Sequence, residues 1–287
     1  MGAPYSPSVV GGIDGSRAAL DAALWAVDEA VNRDIPLRLV YAIAPCDDSS
    51  TGPEDAARRL ATAELAVRYA FTAVESTEKP VKIEVEILQG GPTRALMDAS
   101  QSAALLCVGS IGLNHFAEGR VGSTAAALAS SSRCPVAIIR CQDKKSTAEP
   151  RQVVVEVDGA VDSRLLQCGM EEARLRGAPL RVLTTWHSHY TDIHDSRAVA
   201  EGNRQLRAQL DRRLAVWKRR NPDLDVKSVV THRSALHFLA KDAASTQLFV
   251  VGRRDWGDIS EILGPTGHAA LNNTDCSVLV CDGAQSL

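Results

Sequence analysis

The sequence predicts an α/β protein that contains two copies of one domain, each built on a five-stranded parallel sheet with helices on both faces. Two observations lead to this prediction. In each half of the chain, short apolar runs alternate with segments of helical period in the order βαβαβαβαβ, which is the pattern of a parallel sheet covered by helices. In addition, several segments of the first half recur in the same order in the second half, as expected of an internal repeat.

Three pairs of segments define the repeat, and the members of each pair lie about 143 residues apart. The pairs are residues 9–16 with 153–160, residues 105–109 with 249–252, and residues 134–139 with 276–280. A polar stretch without apolar periodicity, residues 141–150, separates the copies and is predicted to be a linker. The predicted domains are therefore residues 1–143 and 151–287.

Periodicity assigns the elements of the first copy. Leu20, Leu24 and Val27 recur at i, i+4 and i+7, which is an apolar helical stripe, whereas residues 81–88 alternate Val and Ile with Lys and Glu, as a strand does. By these patterns the first copy is predicted to contain strands at residues 9–13, 37–42, 81–88, 104–108 and 136–139, and helices at 17–32, 56–76, 93–101 and 123–131.

The second copy shows the same order of elements. Its predicted strands lie near residues 153–157, 180–184, 226–230, 248–251 and 278–280. Its long helix, about residues 198–220, is rich in arginine and is predicted to present that face to solvent.

Composition and charge exclude several classes of protein. The chain is 45% hydrophobic and carries a net charge of −3, so neither nucleic acid nor an anionic membrane is an expected partner, because both attract a basic surplus. No apolar run approaches the ~18 residues of a membrane span, and residues 1–8 lack the pattern of a signal peptide.

The seven cysteines form no C-x-x-C pair and are predicted to be buried apolar residues in a reducing compartment. The expected location is cytoplasmic.

A glycine-rich connection follows the fourth strand of the first copy. It contains two clusters, Gly109, Ser110 and Gly112 at the strand end, and Gly122, Ser123 and Thr124 at the start of the next helix. Glycines let the backbone turn sharply and direct its N–H groups toward an anion, and a helix N-terminus favours phosphate. Ligands of such sheets bind at the carboxyl ends of the strands, so we predict a phosphate site here.

Asp14 ends the first strand at the same edge of the sheet. Two interpretations stay open for it. It could cap the following helix by satisfying free N–H groups, or it could accept hydrogen bonds from ribose hydroxyls or the amine of a base.

Together these residues resemble the universal stress protein family. The resemblance rests on the spacing Gly109-x2-Gly112-x9-Gly122-Ser123, on the aspartate after the first strand and on a closing strand that begins at Cys134. It covers nearly the whole chain, as two tandem domains. It implies a flavodoxin-like or Rossmann-like fold in each domain, and ATP, with or without Mg2+, as a bound ligand.

The resemblance also implies roles for individual residues. Gly12 and Asp14 would line the adenosine end of the site, and the backbone of Ala42, after the second strand, would contact adenine. The two glycine clusters would hold the phosphates through Gly109, Ser110, Gly112, Gly122, Ser123 and Thr124. ATP would be retained rather than rapidly hydrolysed, and the two domains would pair through their last strands.

The second copy departs from the motif. Glu156 takes the position of Gly12, and Asp255 replaces one of the phosphate glycines. Gly264 is followed by Pro265, which lacks the N–H group that a phosphate would accept. Like charges about 4 Å apart cost on the order of 4 kcal/mol at an effective dielectric of 20, so the added carboxylates would repel a triphosphate. We predict one intact site, in the first domain, and a degenerate site in the second.

Three functions stay open. The first is a regulatory nucleotide-binding module that acts in a stress response. The second is a slow ATPase or phosphotransferase that uses the segment of Glu118 and Arg120 between the phosphate glycines. With His115, this segment could serve in proton transfer or contact the γ-phosphate, or it could be a flexible rim of the site. The third is a scaffold that does not depend on nucleotide. The sequence contains neither a P-loop nor a nucleophile-elbow motif, so no catalytic residue is assigned.

Two weaker features concern metals and assembly. His187, His189 and His194 fall in one predicted loop, but no cysteine or rigid turn organises them, so a metal site is not expected. The last strands of the two copies are apolar and would be exposed edges unless they pair antiparallel within the chain. A homodimer would then form through other surfaces.

Overall fold

The computed structural model describes residues 7–45, 52–112, 121–140, 151–157, 162–186, 196–232, 234–253, 256–271 and 276–281. Contacts divide the chain into two compact units, Met1–Gln142 and Asp143–Leu287. Within the described residues, no helix is both long and apolar enough to cross a membrane.

The described residues of the first unit form a parallel five-stranded sheet with helices on both faces. The strands are β1 (Ser8–Ile13), β2 (Leu37–Ile43), β3 (Ile83–Gln89), β4 (Ala103–Gly109) and β5 (Val136–Ile139), in the order β3-β2-β1-β4-β5. The helices are α1 (Arg17–Arg33), α2 (Pro53–Glu75), α3 (Pro92–Ala99) and α4 (Ser123–Ser131). A Cβ added at Gly11 would meet Ala23 of α1, and one added at Gly12 would meet Leu96 of α3. Because successive strand residues point to opposite faces, α1 and α3 cover opposite faces of the sheet.

The described residues of the second unit repeat this arrangement. The strands are β6 (Gln152–Glu156), β7 (Leu180–Thr185), β8 (Val226–Thr231), β9 (Thr246–Gly252) and β10 (Ser277–Cys281), in the order β10-β9-β6-β7-β8. The helices are α5 (Ser163–Leu175), α6 (Ser196–Arg220), α7 (Ala235–Asp242), α8 (Trp256–Leu263) and α9 (Pro265–Leu271). Gly11 pairs with Cys107 in the first unit, and Val155 pairs with Val250 in the second. The internal repeat aligns Gly11 with Val155 and Cys107 with Val250, so these strands pair in the same register in both units. The predicted α/β class is confirmed.

The core of the first unit lies on β1 and β4. Val9, Val10, Leu105 and Leu106 are at most 1% exposed, and burying such a side chain contributes about 1.5–3 kcal/mol. These strands are apolar along their length because helices cover both faces. Their burial holds the carboxyl ends of two neighbouring strands side by side.

Helix α1 packs closely against β4. It begins after Ser16, whose hydroxyl accepts a hydrogen bond from the Ala19 N–H at 3.1 Å. A Cβ added at Gly109 would lie 2.6 Å from the backbone carbon of Ala18, so only glycine fits there. The start of α1 and the end of β4 therefore meet at one edge of the sheet.

The strand order places a crevice at that edge. From β1 the chain passes to β2 on one side, and it later returns to β4 on the other side of β1. In open parallel sheets, the carboxyl ends of the strands at such a reversal form the ligand-binding crevice.

The described cysteines are largely buried, as predicted. Cys107, Cys134, Cys276 and Cys281 are at most 4% exposed, and Cys168 is half-buried. The other two, Cys46 and Cys141, lie outside the described residues.

Candidate functional site

A cavity of about 630 Å3 opens at the carboxyl ends of β1, β2 and β4. This volume is in the range of roughly 300–1,000 Å3 that small-molecule sites occupy. Eight of the nine residues that the sequence predicts for a nucleotide site line it: Gly12, Asp14, Ala42, Gly109, Gly112, Gly122, Ser123 and Thr124. The structure thus brings together residues from both ends of the first domain's sequence.

Of the nine predicted residues, Ser110 is the one that does not line the cavity. It is only 5% exposed. Its N–H donates to the Ile139 carbonyl at 2.9 Å, and its own carbonyl accepts a hydrogen bond from the Gly122 N–H, also at 2.9 Å. Ser110 therefore ties the ends of β4 and β5 to the start of α4, and its backbone positions Gly122.

Asp14 contacts two loops at the cavity. Its Oδ1 accepts a hydrogen bond from the Ser16 N–H at 2.8 Å, while Ser16 itself caps α1. A Cβ added at Gly112 would lie 2.7 Å from Oδ2 of Asp14, so the loop at Gly112 closely approaches the carboxylate, and a side chain there would displace it. The side chain that caps the helix is thus Ser16, and Asp14 supplies a carboxylate to the cavity wall.

The start of α4 forms another part of the wall. Gly122 is its N-cap, with φ −56° and ψ 145°, and among the described residues no side chain caps this helix. Its first turn, which includes Ser123 and Thr124, contains no acidic residue. The first N–H groups of a helix lack intrahelical partners and carry partial positive charge, so this part of the cavity is suited to an anion.

The end of β2 contributes Ala42 and the aromatic residue Tyr41 to the cavity. β1 ends at Ile13, which lies opposite Tyr41, so Ala42 extends past the end of β1, and it lines the cavity. Tyr41 lines the cavity as well. Burial raises the pKa of its phenol, and the Asp14 carboxylate raises that pKa further. The phenol is therefore protonated near neutral pH and can donate a hydrogen bond.

Helix α2 supplies cavity residues that sequence reasoning missed, namely Arg58, Arg59 and Thr62. Arg59 Nη1 donates to the Ala44 carbonyl at 3.2 Å, which holds the chain after β2. Arg58 Nη1 lies 3.7 Å from Asp55 Oδ1, and its side chain is 78% exposed. The available signal was the pair of adjacent arginines early in the helix that follows β2, but periodicity does not tell which helix face meets a cavity.

The aligned positions of the second unit differ in the described residues. Glu156 takes the register position of Gly12 and is buried, with 3% exposure. Pro265 is the first residue of α9, so no N–H is present at the position aligned with Ser123. Asp255 lies outside the described residues, and the degeneracy of this second site stays a prediction.

Two other sequence hypotheses also fall outside the described residues. Their residues are His115, Glu118 and Arg120 in one segment, and His187, His189 and His194 in another. Within the part of the chain that the structure describes, no group of three or more His, Cys, Asp or Glu side chains could hold a metal ion.

Comparisons with known proteins agree on one family. The model of the universal stress protein family matches residues 7–140 and 150–282. A universal stress protein of Mycobacterium tuberculosis is 49% identical over 275 residues, which span 96% of this chain and 95% of that protein. The crystal structure of a universal stress protein from Archaeoglobus fulgidus covers 98% of this chain and 97% of its own, with a TM-score of 0.68 at 16% identity. A universal stress protein solved in complex with cAMP is 28% identical and covers 47% of this chain and 96% of its own, with a TM-score of 0.36.

Proposed function

Since the chain belongs to the universal stress protein family, we propose that its first unit binds one ATP in the cavity at the ends of β1, β2 and β4 and acts as a regulatory nucleotide-binding module in a stress response. The composition of the cavity carries this proposal. It combines Asp14 and Ala42 with the start of α4. A nucleotide needs hydrogen-bonding groups for its neutral nucleoside end and an anion-binding helix start for its polyanionic phosphate end.

The adenosine half would lie at the ends of β1 and β2. The backbone of Ala42 extends past β1 and offers peptide groups to the edge of the adenine. Asp14 offers carboxylate oxygens to the ribose hydroxyls. Leu96 and Val108 line the same cavity and supply apolar surface for a flat base, as is typical of small-molecule sites.

The triphosphate half would lie at the start of α4. The N–H groups of the first turn and the hydroxyls of Ser123 and Thr124 are the donors, and the guanidinium groups of Arg58 and Arg59 neutralise part of the phosphate charge. Asp14 is the one carboxylate among the described residues that line the cavity. Mg2+ would therefore be held mainly by phosphate oxygens and water, as it commonly is in nucleotide sites.

Two alternatives are kept as outcomes of the test. A slow ATPase or phosphotransferase would use His115, Glu118 or Arg120, whose placement the structure does not describe. In a nucleotide-independent scaffold, the glycine loop would no longer bind a ligand. The cytoplasmic location, the pairing of the last strands and a homodimer stay predictions from the sequence.

Titration calorimetry of the full chain with ATP tests the proposal, using Gly122→Asp with Gly122→Asn as its matched control. Both residues are good N-caps, and a Cβ at Gly122 would lie 3.6 Å from the nearest atom, so both variants should fold. The aspartate carboxylate would repel the phosphates by about 4 kcal/mol, which is a loss of about a thousandfold in affinity. The isosteric asparagine should retain most of the binding.

The expected result is one equivalent of ATP per chain, which is lost in the aspartate variant alone. Equal ATP affinity in both variants would show that the phosphates lie elsewhere, and two equivalents per chain would contradict a single site. Absence of binding, together with no adenine nucleotide in freshly purified protein, would establish the scaffold alternative. Phosphate release in a single turnover on the same sample would establish the slow ATPase.

A further inference from the structure

Two cysteine thiols of the second unit lie in contact. The Sγ of Cys168, on α5, is 2.9 Å from the Sγ of Cys281, at the end of β10, although the two residues are 113 positions apart in the chain. Neither cysteine belongs to a disulfide. The nucleotide site of the first unit makes no use of this pair.

Regular elements hold both thiols in place. The backbone of Cys281 pairs with Gly252 of β9, and its carbonyl accepts a hydrogen bond from the Arg253 N–H at 2.7 Å. Helix α5 is capped by Asp162, whose carboxylate accepts from the Arg164 N–H at 2.9 Å, and it packs on β6 and β9. The proximity of the sulfurs is thus built into the packing of the second unit.

We propose that Cys168 and Cys281 form a redox-active pair that a hydroperoxide oxidises to an intramolecular disulfide. A disulfide bond is about 2.05 Å long, so the two sulfurs need to approach each other by less than about 1 Å. The oxidised pair covalently joins α5 to the last strand of the second unit. This modification is independent of nucleotide binding in the first unit.

The oxidation proceeds in two balanced steps. The half-buried Cys168 is the thiol that a peroxide reaches. As a thiolate it attacks one peroxide oxygen, the O–O bond breaks, and with hydrogen peroxide the products are Cys168 sulfenic acid and hydroxide, which takes up a proton to form water. Cys281 then attacks the sulfenic sulfur, and the S–O bond breaks with release of a second water. Two thiols lose two electrons and two protons, and one hydrogen peroxide becomes two waters.

The other described cysteines serve as internal controls. Cys107, Cys134 and Cys276 are at most 3% exposed, and reactivity toward oxidants follows access and thiolate character. We expect these three to remain reduced while the pair reacts.

Peptide mapping by mass spectrometry tests the proposal in the full chain. Cys46 and Cys141 are replaced by serine to remove the thiols that lie outside the described residues. After treatment with hydrogen peroxide and alkylation of remaining thiols, a linked pair of peptides that contain Cys168 and Cys281 is expected, and dithiothreitol should release it. The unfolding midpoint should rise by about 5–10 °C on oxidation, because the bond closes a long loop.

Matched variants separate this pair from general oxidation. Cys168→Ser should abolish both the linked peptides and the rise in the unfolding midpoint, and Cys281→Ala should do the same. Cys134→Ser should change neither. Conversion of Cys168 to sulfinic acid without a linked peptide, or a link that involves a different cysteine in the folded protein, would overturn the assignment.

Discussion

Replacing Ser123 by proline isolates the contribution of one backbone N–H at the start of α4. Ser123 is the first residue of that helix, where proline is well tolerated because the N–H has no intrahelical partner. Gly122 before it has φ −56° and ψ 145°, which is the extended conformation that a residue preceding proline adopts. The fold and the unfolding midpoint should therefore be retained. The second unit already has this sequence, since Pro265 begins α9 after Gly264.

The expected magnitude follows from the donors that each variant removes. Ser123→Ala removes the hydroxyl alone, whereas Ser123→Pro removes both the hydroxyl and the backbone N–H. A hydrogen bond to a charged group contributes about 1.5–3 kcal/mol, and each 1.4 kcal/mol changes affinity tenfold. The Kd for ATP should rise about 10- to 100-fold in the alanine variant and by about the same factor again in the proline variant. Adenosine, which carries no phosphate, should bind all three proteins equally.

The assay is titration calorimetry with ATP and with adenosine, accompanied by thermal unfolding of each protein without ligand. A proline variant that is folded and binds ATP as tightly as the unmodified chain would refute the phosphate role of this N–H group. An equal loss of ATP and adenosine affinity would refute it as well, because the change would then affect the cavity as a whole.

Two further predictions concern stability and pH. Gly109→Ala should lower the free energy of unfolding by about 1–3 kcal/mol, because its Cβ would lie 2.6 Å from the backbone of Ala18. Thermal unfolding should show no such loss for Gly122→Ala, whose Cβ has its nearest neighbour at 3.6 Å. The raised pKa of Tyr41 means that the folded state holds this proton more tightly than the unfolded state, so stability should decline as pH rises above about 10 and less so in Tyr41→Phe. Asp14→Asn should move the phenolate absorbance of Tyr41 to lower pH, and an unchanged titration would contradict the electrostatic contact between them.

The fold was predictable because its signals are local. The apolar run at residues 104–108 becomes β4. Leu20 and Val27 of the predicted helical stripe are buried on α1, whereas Leu24 is only half-buried. The strand predicted from residue 81 begins instead at Ile83. The predicted and the observed first residues of this strand differ because pairing with a neighbouring strand, here β2, decides where a strand begins.

The positions of the site residues were more predictable than their roles. Spacing predicted a sharp turn at Gly109, but the same glycine is also required by the close approach of α1. Ser110 is buried, and its backbone carbonyl positions Gly122 by accepting a hydrogen bond from the Gly122 N–H. Tyr41 and Arg59 were missed because the face that a strand end or a helix turns toward a cavity depends on packing against the rest of the domain.

By itself, the sequence determined the two-copy organisation, the α/β class and the edge of the sheet at which the predicted ligand residues gather, since repeats and periodicity are properties of contiguous segments. Only the tertiary structure decided which atoms meet. The contact between Asp14 and Gly112 depends on the distance between two loops, and the contact between Cys168 and Cys281 joins residues 113 positions apart. Such contacts depend on the distance at which each helix packs on the sheet. That distance is set by the volumes of the side chains between them, and no local pattern of residues encodes it.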